Sequence, residues 1–210
     1  MSDFIASLNE IFDRRQSDIA IAKRSILLGR TELQRKHLRS SCILILYASL
    51  EGGTKELTGA LFSYINRSSA DAVKLEVTYL KLAIEKECRF TEEICDLAKQ
   101  ICRSGEIRKA ILSKALLPGS FDTEANITPK VVKKMCLSLG VSYFMNNDHE
   151  ADLNQLLRFR NNIAHGDRDM PVDLNRINKF SEIVMYILSK LTESLTIIYE
   201  QKMWLTIGST

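Results

Sequence analysis

Residues that interrupt helices are scarce in this chain. Three Pro and nine Gly occur in 210 residues, too few for the turns of a many-stranded sandwich, and the apolar positions between them recur at helical spacing. Ile5, Leu8, Ile11, Phe12, Ile19, Ala22, Ile26 and Leu33 predict a helix from about Asp3 to Leu38, capped by Ser2 or Asp3, with a break at Ser40–Ser41. A second helix is expected from about Ser41 to Tyr64. It is nearly all apolar between Cys42 and Leu50, as a helix central to a bundle is. Its Gly52, Gly53 and Gly59 lower helix propensity but let a neighbour come close.

Asn66–Asp71 reads as a connection, and Val73–Ile101 as one or two helices with a break near Arg89–Thr91. The segment Arg103–Thr128 is the least periodic and predicts a long irregular connection containing a short helix. Thr128-Pro129 is a helix start, a Thr cap followed by Pro at the first helical position, and that helix ends at Gly140. Two more helices are expected, over about Glu150–Ala164 and from Pro171–Asp173 to about Trp204. No internal repeat or low-complexity linker divides the chain, so the expectation is one all-α domain over 1–210, an up-and-down bundle with long N- and C-terminal helices.

No run approaches eighteen consecutive apolar residues, and the first residues lack a secretory signal pattern. Five cysteines without paired spacing fit reduced thiols, and the expected location is the cytoplasm. Cys88, Cys95 and Cys102 recur every seven residues. They read as helix packing, with redox sensing as the alternative, because about 10.5 Å of helix separates neighbours that would have to share one zinc. His37 and His149 have no partners at metal spacing, and neither a phosphate-cradling Gly loop nor a Ser-His-Asp arrangement is present. No metal or cofactor is expected.

The net charge of +3 is unevenly spread. Arg14, Arg15, Lys23, Arg24, Arg30, Arg35, Lys36 and Arg39 face only Asp18 and Glu32 in the same stretch, which makes either a solvated helix face or a surface for a polyanion.

Chemistry concentrates in Arg158-Phe159-Arg160-Asn161-Asn162-Ile163-Ala164-His165-Gly166-Asp167. Histidine exchanges protons near neutrality, and arginine is shaped to clamp a pair of phosphate oxygens. Five residues on a regular helix turn a side chain by roughly 140°, so Arg160 and His165 converge only where the helix ends between or at them, or across a two-fold interface. The bland alternative pairs Arg160 with Asp152 or Asp167 and leaves His165 at the helix's terminal carbonyls. Glu51 precedes Lys55 by one turn, in the favoured orientation for a helix ion pair. The functional alternative has Glu51 reaching Arg160. Arg158 and Arg168 flank the motif.

Leu156 to Gly166 resembles the R-x(4–6)-H motif of the HEPN superfamily, with Asn161 as the polar residue after the Arg. Leu46-Tyr47-Ala48-Ser49-Leu50-Glu51-Gly52 resembles the second-helix signature of the MAE-type HEPN-like nucleases, although Gly53 stands where an aromatic is common. Thr123-Glu124-Ala125-Asn126-Ile127-Thr128-Pro129 is similar to the segment before a short helix in that group. The resemblance implies a helical, dimerising, metal-independent RNase with Arg160, His165 and Asn161 catalytic, Glu51 and Lys55 in support, and Arg158 and Arg168 as the expected RNA-backbone contacts. It further implies a toxin or antiviral defence setting, with a cognate antitoxin or defence protein as partner. The rival expectation is a non-catalytic module of the same superfamily that binds RNA, a nucleotide or a protein.

Overall fold

A computed structural model describes residues 3–68, 75–87, 116–167 and 170–206. Six α-helices lie among them: α1 (Asp3–Ile26), α2 (Glu32–Arg67), α3 (Val77–Glu87), α4 (Pro129–Leu139), α5 (Asn147–Ala164) and α6 (Leu174–Gln201). The central element is α2, about 54 Å long, which packs along α1, α6 and α5. Phe4, Tyr64 and Tyr199 meet at one end, so the start of α1 lies against the ends of α2 and α6. At the other end the last turn of α1 lies beside Leu174 and Ile177 at the start of α6. The long N- and C-terminal helices therefore run antiparallel to each other and enclose α2. Between them Leu8, Ile43, Leu46, Leu50, Leu57, Leu61, Phe180, Val184, Leu188 and Leu195 form a sealed core.

The first two helices divide at Leu27–Thr31, not at Ser40–Ser41. Thr31 caps α2 with a reciprocal pair: its hydroxyl accepts the Gln34 N–H at 3.2 Å, and the Gln34 side chain accepts the Thr31 N–H at 3.2 Å. Gly29 lets the turn close, since a Cβ there would stand 2.7 Å from Arg35 Cγ. Ser40 and Ser41 lie within α2, where the burial of its apolar face outweighs their weak propensity.

Helix α5 begins earlier than its apolar stripe suggests, because Asn146 and His149 form a second capping box. The His149 ring also packs on Tyr186, 4.1 Å between centroids. Helix α4 matches the sequence reading at both ends: Thr128 caps it, Pro129 opens it, and Gly140 closes it in the left-handed region at φ 71°. Of the Val73–Ile101 stretch, α3 and the residues just before it are described; Cys88, Cys95, Cys102 and the break near Arg89–Thr91 lie outside the described residues. So does 103–115.

The irregular segment 116–128 forms a strap along α2. Asn66 accepts the Leu117 N–H at 2.9 Å and donates to the Leu117 carbonyl at 3.1 Å. The Thr58 hydroxyl accepts the Phe121 N–H at 3.0 Å, and the Tyr47 hydroxyl accepts the Ile127 N–H at 3.0 Å. Bare helix at Gly59 lets the strap come close: a Cβ there would stand 2.7 Å from the Gly119 carbonyl oxygen. Gly53 serves the same purpose toward α6, since a Cβ would stand 2.8 Å from Leu188, so an aromatic has no room at that position. Among the described residues, no helix is long and apolar enough to cross a membrane.

Candidate active site

Helix α5 carries Arg158, Arg160 and Asn161, and its last turn delivers His165. Leu153, Leu156, Leu157 and Phe159 are the buried face; Arg160, one turn on from Leu156 and Leu157, continues that face, and Arg158 lies on the opposite side of the helix. Arg158 is exposed, with no side-chain partner among the described residues, whereas Arg160 is partly buried against α2 and the strap.

Three groups hold the Arg160 guanidinium. Tyr47 of α2 lies beneath it, with Cζ 4.3 Å from the ring centroid. Asn126 of the strap accepts from Nη1 at 3.0 Å, and Asn161 accepts from the same nitrogen at 2.7 Å. Both Nη1 protons are thereby used. Nε and Nη2 have no partner among the described residues and remain a forked donor edge, the arrangement that binds two oxygens of a phosphate. Asp152 is engaged elsewhere, by Lys179 at 2.7 Å.

Tyr47 is 2% exposed. Burial pushes its phenol above the usual range, and the Glu51 carboxylate adds to this, while the Ile127 N–H, Arg160 and Lys55 act in the opposite direction. The phenol is therefore neutral at physiological pH and serves as a hydrogen-bond acceptor and a π face. Glu51 and Lys55 lie near enough to act on it, and they pair with each other at 2.6 Å, one turn apart on α2. The residues holding the guanidinium are Tyr47, Asn126 and Asn161, while Glu51 bonds Lys55.

His165 is the C-cap residue of α5. Gly166, at φ 88°, accommodates the left-handed step, and the closing bonds run from Gly166 N–H to Ile163 O and from Asp167 N–H to Asn162 O. The imidazole is exposed and has no hydrogen-bond partner among the described residues. Because α5 is regular through Ala164, Arg160 and His165 are separated by roughly 140° of rotation and about 7.5 Å of rise. The helix ends at His165, too late to bring the two onto one face. Arg168 lies outside the described residues.

The basic run of the first helices is partly neutralised. Arg14 and Arg15 bond Glu56, and Arg35 and Arg39 bond Glu32, while Lys23, Arg24 and Arg30 have no ion pair among the described residues. Among the described residues, no group of three or more His, Cys, Asp or Glu is placed to hold a metal ion.

The profile of the MAE_28990-like HEPN family matches residues 4–203. The chain belongs to the HEPN family. That family is generally associated with RNase activity, commonly metal-independent. No curated protein and no solved structure matches the chain. Within this HEPN chain, the sequence reading located the Arg–His motif but gave Tyr47 and Asn126 no role. Both lie inside segments that carried the resemblance, and only the packing of α2 and the strap against α5 brings them to Arg160.

Proposed function

We propose that this HEPN chain is a metal-independent endoribonuclease, with Arg160, His165 and Asn161 at its centre. The observation that carries the reading is a guanidinium held from below and through one nitrogen, its Nε and Nη2 without a partner among the described residues, five residues before an exposed histidine that also has no hydrogen-bond partner among them. Cleavage without metal uses the 2′-hydroxyl of the RNA as nucleophile. Its oxygen attacks the adjacent phosphorus, its proton passes to a base, the P–O5′ bond breaks, and an acid protonates the departing 5′-oxygen. The products are a 2′,3′-cyclic phosphate and a 5′-hydroxyl. Arg160 stabilises the charge that grows on the pentavalent phosphorane, where a fixed cation contributes most. Asn161 keeps that cation in place.

One histidine fills one proton role at a time, so the reading includes a homodimer in which two copies of the motif line one groove. The separation of Arg160 and His165 around α5 favours this over a site within one chain. Glu51 and Lys55 border the groove in support, and Arg158 and Arg168 contact the RNA backbone. The setting that goes with the family is a cytoplasmic toxin or antiviral effector with a cognate antitoxin or defence partner.

The test is incubation of wild type, Arg160→Ala and His165→Ala with total RNA in excess EDTA, reading the fragment ends. Cleavage by wild type alone, leaving 2′,3′-cyclic phosphates, is the expected result. Equal cleavage by either variant, in protein free of contaminating nuclease, refutes the assignment. No cleavage by any of the three favours a binding module.

A further inference from the structure

Arginine side chains on helix surfaces ordinarily sample many rotamers, and a cation that must meet a developing charge loses effectiveness if it has to be fixed during the reaction. Arg160 is not left to do so. Its guanidinium rests on the ring of Tyr47 at 4.3 Å, and one nitrogen is bonded to both Asn126 and Asn161. Asn161 is a sequence neighbour on the same helix and moves with α5. Tyr47 and Asn126 come from outside it and fix the guanidinium relative to the rest of the fold.

These two are joined to each other. The Ile127 N–H, next in sequence to Asn126, donates to the Tyr47 hydroxyl at 3.0 Å, and both groups are buried. One phenol therefore supports the guanidinium with its ring and anchors the strap with its oxygen. Two further bonded positions, Thr58 to Phe121 and Asn66 to Leu117, tie the strap to α2. The strap is thus bonded to α2 at three positions, the last of them next to Asn126.

We infer that Tyr47 and Asn126 are positioning residues for Arg160: together they lock the guanidinium in one rotamer and leave its Nε–Nη2 edge as the phosphate-binding fork. The kinetic consequence rests on the nuclease reading above; the locking itself does not. Asn126 acts through an acceptor oxygen. Tyr47 acts through a π face and through the hydroxyl that holds the strap.

The test has a readout that does not require RNA. Guanidinium nitrogen resonances report the rate of rotation about the Cζ–Nε bond, and Arg158 on the same helix, exposed and without a side-chain partner among the described residues, is the internal reference. Arg160 is identified as the signal lost in Arg160→Lys. In wild type the Arg160 rotation is expected to be about tenfold or more slower than that of Arg158. Asn126→Ala brings it to the Arg158 rate, and Asn126→Asp, which keeps an oxygen in place, restores the slow rate. Tyr47→Leu accelerates it, and Tyr47→Phe gives an intermediate value. Arg160 rotating as fast as Arg158 in wild type, or unchanged by Asn126→Ala, overturns the proposal. Circular dichroism and melting of each variant identify any that fails to fold, and Asn126→Asp then carries the comparison.

In the RNase assay Asn126→Ala is expected to lower kcat by roughly 10²-fold while KM stays nearly constant. Slow rotation in wild type that Asn126→Ala releases, together with no cleavage of any RNA by wild type, supports the locking and refutes the nuclease. Cleavage with free rotation does the reverse.

Discussion

Gly59 sets helix propensity against packing, and the structure decides which wins. In an exposed helix interior, Gly→Ala stabilises by about 1 kcal/mol. At Gly59 the added methyl would stand 2.7 Å from the Gly119 carbonyl oxygen, several tenths of an ångström inside van der Waals contact. The obstacle is backbone, so the strap itself must move. Overpacking of this kind costs about 1–3 kcal/mol. Lifting the strap also stretches the neighbouring Phe121 N–H bond to Thr58, 3.0 Å in the native state, which contributes about 1 kcal/mol. Taking mid-range values and subtracting the propensity gain leaves Gly59→Ala destabilised by about 2 kcal/mol, a fall in Tm of roughly 4–8 °C for a chain of this size. Thermal and urea unfolding followed by circular dichroism measure it. A Tm equal to or above that of wild type would mean that the strap does not press on α2 at Gly59, and the chain of contacts from α2 through the strap to Asn126 would lose its tightest link.

Two further outcomes follow from buried and hydrogen-bonded titratable groups. Burial pushes the Cys42 and Cys136 thiols up to about 11, so neither should react with a thiol reagent at pH 8 until the chain unfolds; mass spectrometry of alkylated native protein checks this, and rapid labelling of either disproves their burial. The Thr78 hydroxyl and N–H donate to the Glu76 carboxylate and hold it below the ordinary value of 4.5. A carboxylate depressed in the folded state contributes stability above its unfolded pKa and loses it as pH falls through the folded one. The stability difference between wild type and Glu76→Gln in urea should therefore be larger at pH 7 than below pH 4.5; a difference independent of pH contradicts the two Thr78 bonds to the carboxylate.

How much was legible in the sequence depended on whether the deciding contacts were local. Helix α4 was readable at both ends because Thr128, Pro129 and Gly140 act within one turn of the boundaries they set. The division between α1 and α2 was misplaced at Ser40–Ser41, although Gly29 and the Thr31–Gln34 capping box were present in the letters; two serines on an amphipathic helix are a weaker signal than a reciprocal cap. The basic run from Arg14 to Arg39 read as set against Asp18 and Glu32 alone because Glu56, which bonds Arg14 and Arg15, comes from the middle of α2. The Arg–His motif was visible as a spacing, but the partners that fix Arg160 were not. Asn126 is 34 residues away, and Tyr47 reads as one more apolar position on a buried helix.

The angular separation of Arg160 and His165 also makes the two-copy reading testable by mixing. If one groove needs a histidine from each chain, a wild-type chain paired with His165→Ala contributes nothing. Co-refolding wild type with a large excess of the variant then leaves each wild-type chain with a wild-type partner in proportion to its share of the pool. At one part in ten, activity per wild-type chain should fall to about a tenth. A site complete within one chain predicts no loss at any ratio. Because Ala at position 165 removes an exposed imidazole with no partner among the described residues, the variant should fold and pair as wild type does, so the dilution reports the architecture of the site and not the stability of the bundle. Activity per wild-type chain that stays constant across the series would place the proton transfers within one chain and require Arg160 to act on a phosphate shared with a base other than the partner's histidine.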